Sequence, residues 1–207
     1  MKNVLLLIAQ GVEPLEMSAI TDVLGWANLI GDEEIRVFDA GFHREINTTF
    51  GLNLNLNHRV KELNLDDFDA LAIPGGFEAA GFYEDAFSEA FLTVIRHFSL
   101  AQKPIASICV SSLALGAAGV LDGRQATIYH QEKGIRKQQL EGCGATFVDQ
   151  ALVCDKNMIT STGPGTAIEV AFTLLARITS EKNANIVRKK MRVPELDHNW
   201  LTRPQVA

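Results

Sequence analysis

The stretch "KPIASICVSSLALGAAGVL", residues 103 to 121, decides the fold. Its first part, 104–108, is a short continuous apolar run of strand length, as a strand covered on both faces requires. Its second part, 110–121, is apolar with a helical pattern. Cys109 sits at the joint, with Ser107 two residues before it and Ser111 two after. In open α/β sheets ligands bind outside the carboxyl ends of the strands, which is where this joint lies. Small residues two positions either side are what a nucleophile elbow needs, because the turn brings backbones close.

Outward from this joint the pattern repeats. Strand-length apolar segments at 2–9, 35–40, 69–73, 104–108, 125–129 and 158–161 alternate with helical patterns at 14–30, 84–101, 110–121, 131–142, 165–179 and 183–192. The near-continuous apolar character of "NVLLLIA", "DALAI" and "PIASI" predicts a mostly parallel sheet flanked by helices. "FGLNLNLNHRV" (50–60) alternates leucine with asparagine and reads as one half-buried or edge strand. "VCDKNMIT" (153–160) reads as a hairpin turning at Asp155-Lys156-Asn157. The expected organisation is a single α/β domain over 1–190 and a loosely ordered tail over 191–207.

Composition narrows the function. The 207 residues carry 47% apolar and 21% charged side chains, ordinary for a globular chain with a sizeable core. The net charge of −6 and the absence of a basic patch argue against a nucleic-acid partner. No run is long enough to span a membrane. "MKNVLLLIAQG" has a short apolar run and no small-x-small cleavage site, so it reads as a first strand rather than an export signal. Three cysteines without such a signal point to thiols in a reducing cytoplasm.

Four places carry chemistry. A thiol at the Cys109 joint sits by the next helix's amino end, whose amides and macrodipole favour an anion and predict a lowered thiol pKa. The alternative is a small buried hydrophobe, the reading that suits Cys143 and Cys154. Glu16 lies four residues before Ile20, on the apolar stripe of the helix that opens at Pro14. Burial would raise its pKa and keep it protonated, ready to serve a thiolate or move a proton. The alternative is amide capping in a capping box, for which Glu13 is a poor partner. Gly75 and Gly76 follow a strand and could form an amide nest for an oxyanion, or an ordinary turn. His130 ends "QATIYH", either as a catalytic group or as a hydrogen-bonded structural one. "STGPGT" (161–166) starts a helix and is not a phosphate loop, since no Lys-Ser/Thr follows.

Taken in order, "GVEPLEM" with Glu16, "AIPGG" at 72–76, "ASICVSS" around Cys109, "TIYH" ending at His130, and "STGPGT" resemble the ThiJ/PfpI superfamily. The likeness lies with the branch of the Parkinsonism-associated deglycase and its bacterial relatives, over about residues 1 to 190. The resemblance implies a flavodoxin-like three-layer sandwich and a homodimer. It implies Cys109 as the nucleophile, Glu16 as its protonated partner, and His130 close by. Gly75, Gly76 and Val110 would line the oxyanion and substrate site. It implies no metal and no organic cofactor. Three departures stand out. Val110 replaces the histidine that protease-like members carry after the cysteine, which speaks against peptidase activity. Thr162 stands where the deglycase branch has an arginine, and "FGLNLNLN" lacks a basic residue often found near the pocket.

The function this implies is a cysteine-dependent enzyme acting on small reactive carbonyls, of the glutathione-independent glyoxalase or deglycase type. One alternative is an oxidative-stress sensor or chaperone working through oxidation of Cys109. Another is amidase- or hydratase-type chemistry on a nitrogen-containing small molecule. First-helix residues and "FGLNLNLN" are the expected dimer surface.

Overall fold

The structure, a computed structural model, describes residues 1–195. In chain order the elements are β1 (Lys2–Leu7), α1 (Pro14–Ile30), β2 (Ile35–Gly41), β3 (Glu45–Asn47), β4 (Asn53–Asn55), β5 (His58–Arg59), β6 (Ala70–Ile73), α2 (Phe82–Ala86), α3 (Glu89–Leu100) and β7 (Ile105–Ile108). There follow α4 (Ser112–Ala117), β8 (Gln125–Ala126), α5 (Arg136–Gly142), β9 (Thr146–Phe147), β10 (Leu152–Asp155), β11 (Met158–Ser161), α6 (Ala167–Ile178) and α7 (Glu181–Met191).

The main sheet has seven strands in the order β10-β11-β7-β6-β1-β2-β5, and every pairing but β10–β11 is parallel. Read through its five central parallel strands, this is the 2-1-3-4-5 order of flavodoxin-like sheets. The chain runs from β1 toward one edge and from β6 toward the other. Right-handed crossovers therefore put α1 on one face and α3 and α4 on the other. α6 and α7 pack with α1 and complete its layer. Strands β6 and β7 are buried at every residue, as their unbroken apolar sequences demand.

Helix α1 begins where the sequence places it. Pro14 takes the first position and the Glu13 side chain accepts a hydrogen bond from the Leu15 amide at 3.2 Å. Glu13 therefore does cap the helix, despite being a carboxylate rather than a serine or threonine.

Other boundaries differ from expectation for identifiable reasons. The helix expected over 84–101 is two, because Ser88 caps a new start by accepting the Phe91 amide at 3.3 Å. The helix expected over 110–121 opens with a 3-10 turn at Cys109–Ser111 and is α-helical only over Ser112–Ala117; Gly119, at φ 78°, ends it. The strand expected over 125–129 pairs only at Gln125–Ala126, since the Thr127 amide bonds the Thr160 hydroxyl at 2.9 Å instead of a ladder carbonyl. The helix expected over 131–142 starts at Arg136, after a turn closed by the Gly134 amide on the Gln131 carbonyl. The last long helix is preceded by a 3-10 turn at Pro164–Thr166. "FGLNLNLNHRV" is not one strand: β4 pairs with β3 as a small hairpin, and β5 joins the main sheet. The hairpin expected at 153–160 is β10–β11. Most of the expected tail, 196–207, lies outside the described residues. Among the described residues no helix is long and apolar enough to cross a membrane.

Candidate active site

The sheet order brings the carboxyl ends of β1, β6 and β7 side by side. Cys109 follows β7 at φ 61°, a left-handed conformation that costs a non-glycine residue on the order of 1–3 kcal/mol. The serines that flank it hold the turn. The Ser111 hydroxyl accepts the Ile108 amide at 2.9 Å and reaches the carbonyls of Ile73 (2.9 Å) and Ile108 (2.7 Å). The hydroxyls of Ser107 and Ser112 lie 2.9 Å apart. The elbow is thus pinned to the end of β6 as well as to its own strand.

Gly75 allows the close approach. A Cβ there would stand 2.8 Å from the Ile108 carbonyl oxygen and 2.9 Å from the Cys109 Cβ. At Gly76 it would meet the Phe82 ring at 2.6 Å.

Glu16 has no solvent exposure. Its Oε2 accepts the Gly75 amide at 2.6 Å. Its Oε1 is sealed and has no hydrogen-bond partner; the Cys109 thiol interacts with the carboxyl group. Burial raises the Glu16 pKa to about 8, opposed by the Gly75 amide and assisted by Glu13. The carboxyl is therefore protonated at neutral pH, as its place on the apolar stripe implied.

The Cys109 thiol corrects an expectation. Burial pushes its pKa up, a Glu16 carboxylate would push it further, and only the Val110 amide pulls it down. The residue is 5% exposed. The helix behind it is one 3-10 turn and six α-helical residues, so little macrodipole is available to offset desolvation.

A cavity of about 660 Å³ opens over the thiol. Cys109, Val110, Gly76, Tyr129 and Pro164 line it. So do residues that the sequence did not single out as part of a site, among them Glu13, Phe50, Phe77, Tyr83 and Arg136. Phe50 and Phe77 face each other at 6.1 Å. The Arg136 guanidinium lies 5.0 Å over the Tyr83 ring and 3.5 Å from Glu78. The signal that could have found the aromatic pair is positional: Phe77 directly follows Gly76, and both rings are exposed despite their size.

The structure brings together Cys109, Glu16, Gly75, Gly76 and Val110. Gly75 does not offer its amide to a ligand, because Glu16 takes it. His130 is not among the residues lining the cavity. Its Nδ1 lies 2.8 Å from the Ile128 carbonyl, its Nε2 3.3 Å from Asp149, and its ring is edge-on to Phe147. Thr162 is buried and bonds the Ala151 carbonyl through its hydroxyl, so it supplies no charge. Cys143 packs on Gly116 and Cys154 lies exposed on the edge strand β10; neither lines the cavity. Among the described residues no cluster of His, Cys, Asp and Glu is placed to hold a metal ion.

Known proteins are similar to this chain in sequence and fold. A deglycase of Thermococcus kodakarensis is 31% identical over 164 residues, covering 79% of this chain and 91% of its own length. The glutathione-independent glyoxalase DJ-1 of Schizosaccharomyces pombe is 28% identical over 206 residues, 94% of this chain and 100% of its own. The crystal structure of Drosophila melanogaster DJ-1beta superposes with a TM-score of 0.82 at 27% identity, covering 94% of this chain and 99% of that one. Two Arabidopsis thaliana relatives are longer, and the chain spans less than half of each. The family model for DJ-1/PfpI matches residues 2–177. With the elbow, the buried acid and the paired glycines in their places on a flavodoxin-like sheet, the chain belongs to the DJ-1/PfpI family.

Proposed function

We propose that this protein is a cysteine-dependent enzyme that converts small reactive carbonyls, such as methylglyoxal, without glutathione. One observation carries the reading: a strained thiol at the floor of an apolar cavity, backed by a fully buried Glu16 that is neutral at pH 7. The thiol attacks the carbonyl carbon, and Glu16 holds the hydrogen bond to sulfur that decides when it is charged. Since the Gly75 amide is committed to Glu16, the oxyanion falls to the backbone of Gly76 and Val110 at the cavity wall. The names of the Thermococcus and Schizosaccharomyces relatives support this substrate class. Methylglyoxal turnover by the purified protein tests it. Cys109→Ala should abolish turnover and Glu16→Gln should reduce it severely; turnover surviving in Cys109→Ala rejects the reading.

A redox-sensing role is the second reading, supported by the sealed Glu16 Oε1. A neutral carboxyl facing Cys109 would donate a hydrogen bond to an oxidised sulfur. It requires Cys109 to oxidise before Cys143 and Cys154 at low peroxide; equal oxidation of all three rejects it. For either role we place a homodimer face on α1, where Leu15, Trp26 and Leu29 are exposed along one stripe.

A further inference from the structure

Of the described residues that line the cavity, Arg136 alone carries a positive charge. Its head, rather than its stem, belongs to the wall. The guanidinium lies 5.0 Å over the ring of Tyr83 and 3.5 Å from Glu78, and both of those residues line the same cavity. The Tyr83 hydroxyl feels the charge of Arg136 and that of a Cys109 thiolate, which puts cation and nucleophile within electrostatic reach of one side chain. Gln139 accepts a hydrogen bond from Nη1 at 2.8 Å, so ring and amide together fix the guanidinium. Its ionic partner is a loose one. The Arg136 side chain is 23% exposed and that of Glu78 72%, and their contact is long. Such a rim pair stabilises little and yields to a better-placed anion. The floor adds no negative charge at pH 7, since Glu16 is protonated and the Cys109 pKa is pushed up. The remaining wall carboxylate, Glu13, caps the Leu15 amide.

We propose that Arg136 selects substrates that carry a carboxylate beyond the reacting carbonyl, a role that rests on the carbonyl-converting reading above. The carbonyl carbon sits at Cys109. The carboxylate takes the guanidinium from Glu78, which swings out to solvent. Two parallel N–H···O bonds replace one long contact, the arrangement that suits a planar fork to a planar carboxylate. The new pair lies inside an apolar cavity, where the attraction is stronger than at the exposed rim. Methylglyoxal has no charge and leaves this end of the cavity unused. The substrate class is therefore the carboxylated 2-oxoaldehydes, short carbon chains with a dicarbonyl at one end and an acid at the other. Thr162 bonds the Ala151 carbonyl and contributes no charge, so the preference depends on one side chain.

The probes are 2-oxoaldehydes with two, three or four methylenes before a terminal carboxylate, each compared with its own methyl ester. At one length or more, the wild type should show kcat/KM for the acid about tenfold or more above the ester. Arg136→Met keeps the stem on Tyr83 and should bring that ratio to one or below. Glu78→Gln frees the guanidinium and should raise the ratio by about threefold. Arg136→Lys, charged but without the fork, should fall between Met and wild type. The ratio within each variant is the readout, so a general loss of activity does not move it, and opposite shifts from two neighbours are not what a folding defect gives. Acid and ester within twofold at every length overturn the proposal, as does a ratio that Arg136→Met leaves unmoved. If the wild type converts neither these aldehydes nor methylglyoxal, the carbonyl-converting reading falls and the anion site is decided by binding. In that case 4-oxopentanoate should protect Cys109 from iodoacetamide at about tenfold lower concentration than its methyl ester does, and equal protection overturns the site.

Discussion

Glu16 Oε2 lies 2.6 Å from the amide nitrogen of Gly75, and both residues are buried. This bond joins the first helix to the end of β6 directly behind the elbow. It also commits the Gly75 amide, which is then not free for a ligand.

Stability should follow the Glu16 carboxyl with pH. Its pKa is raised from 4.5 to about 8 in the folded chain. The native state therefore holds a proton that the unfolded state releases. The stabilisation is complete below pH 4.5 and is lost as pH rises through about 8, amounting to about 5 kcal/mol across that window. Glu16→Gln removes the titration. Thermal unfolding at several pH values should show a flatter profile in the variant and a higher melting temperature than wild type near pH 8.

Gly75→Ala should damage fold and site together. The added methyl meets the Ile108 carbonyl and the Cys109 Cβ at 2.8 and 2.9 Å, which is backbone and elbow rather than a flexible tip. A loss of about 1–3 kcal/mol is expected in urea unfolding. Alkylation of Cys109 should change in the same variant, because the sulfur is displaced from Glu16.

The aromatic pair at the cavity mouth should select substrates. Phe77→Ala should lower kcat/KM for phenylglyoxal by about tenfold while leaving methylglyoxal nearly unchanged, since only the larger substrate reaches the ring. Equal losses on both substrates would mean that Phe77 supports the site rather than reading the substrate's body.

Arg188 on α7 pairs with Glu169 on α6, and both side chains are largely buried. The guanidinium also stacks 4.2 Å over Phe172. Arg188→Ala leaves the Glu169 charge uncompensated inside the α1–α6–α7 layer. Urea unfolding should show a loss of about 3 kcal/mol. Arg188→Met, which keeps the packing, should lose less than Ala if stacking on Phe172 matters.

Trp26→Glu should shift the protein from dimer to monomer in light scattering, with the melting temperature moving only as far as lost association requires. A wild type that scatters as a monomer would remove α1 from consideration as a dimer face.

Much of the sheet was legible because its strands are buried on both sides and therefore apolar without interruption. Cys109, Glu16 and Gly75 were legible for a related reason: each breaks a local rule. A thiol between serines, a carboxylate on an apolar stripe and paired glycines after a strand are all anomalies within a few residues. Glu13, Tyr83 and Arg136 break no such rule. They reach the cavity only because α1, α2 and α5 converge on it, which no local pattern records. The end of β8 was illegible for a similar cause: the Thr127 amide leaves the ladder for a hydroxyl 33 residues away. The direction of the Cys109 pKa is not legible locally, because desolvation depends on what covers the thiol and the cover comes from other segments.

The chain distance spanned by the Glu16–Gly75 bond has a consequence for assembly. Its partners are 59 residues apart, and the elbow they support comes later still. No contiguous fragment shorter than residues 16–109 holds all three. A chain split in the exposed stretch around Leu100 would give one half with the acid and another with the thiol. Recombining the halves should bring Cys109 beside Glu16 only when the centre of the sheet has closed, so a change in its alkylation rate would report completed folding.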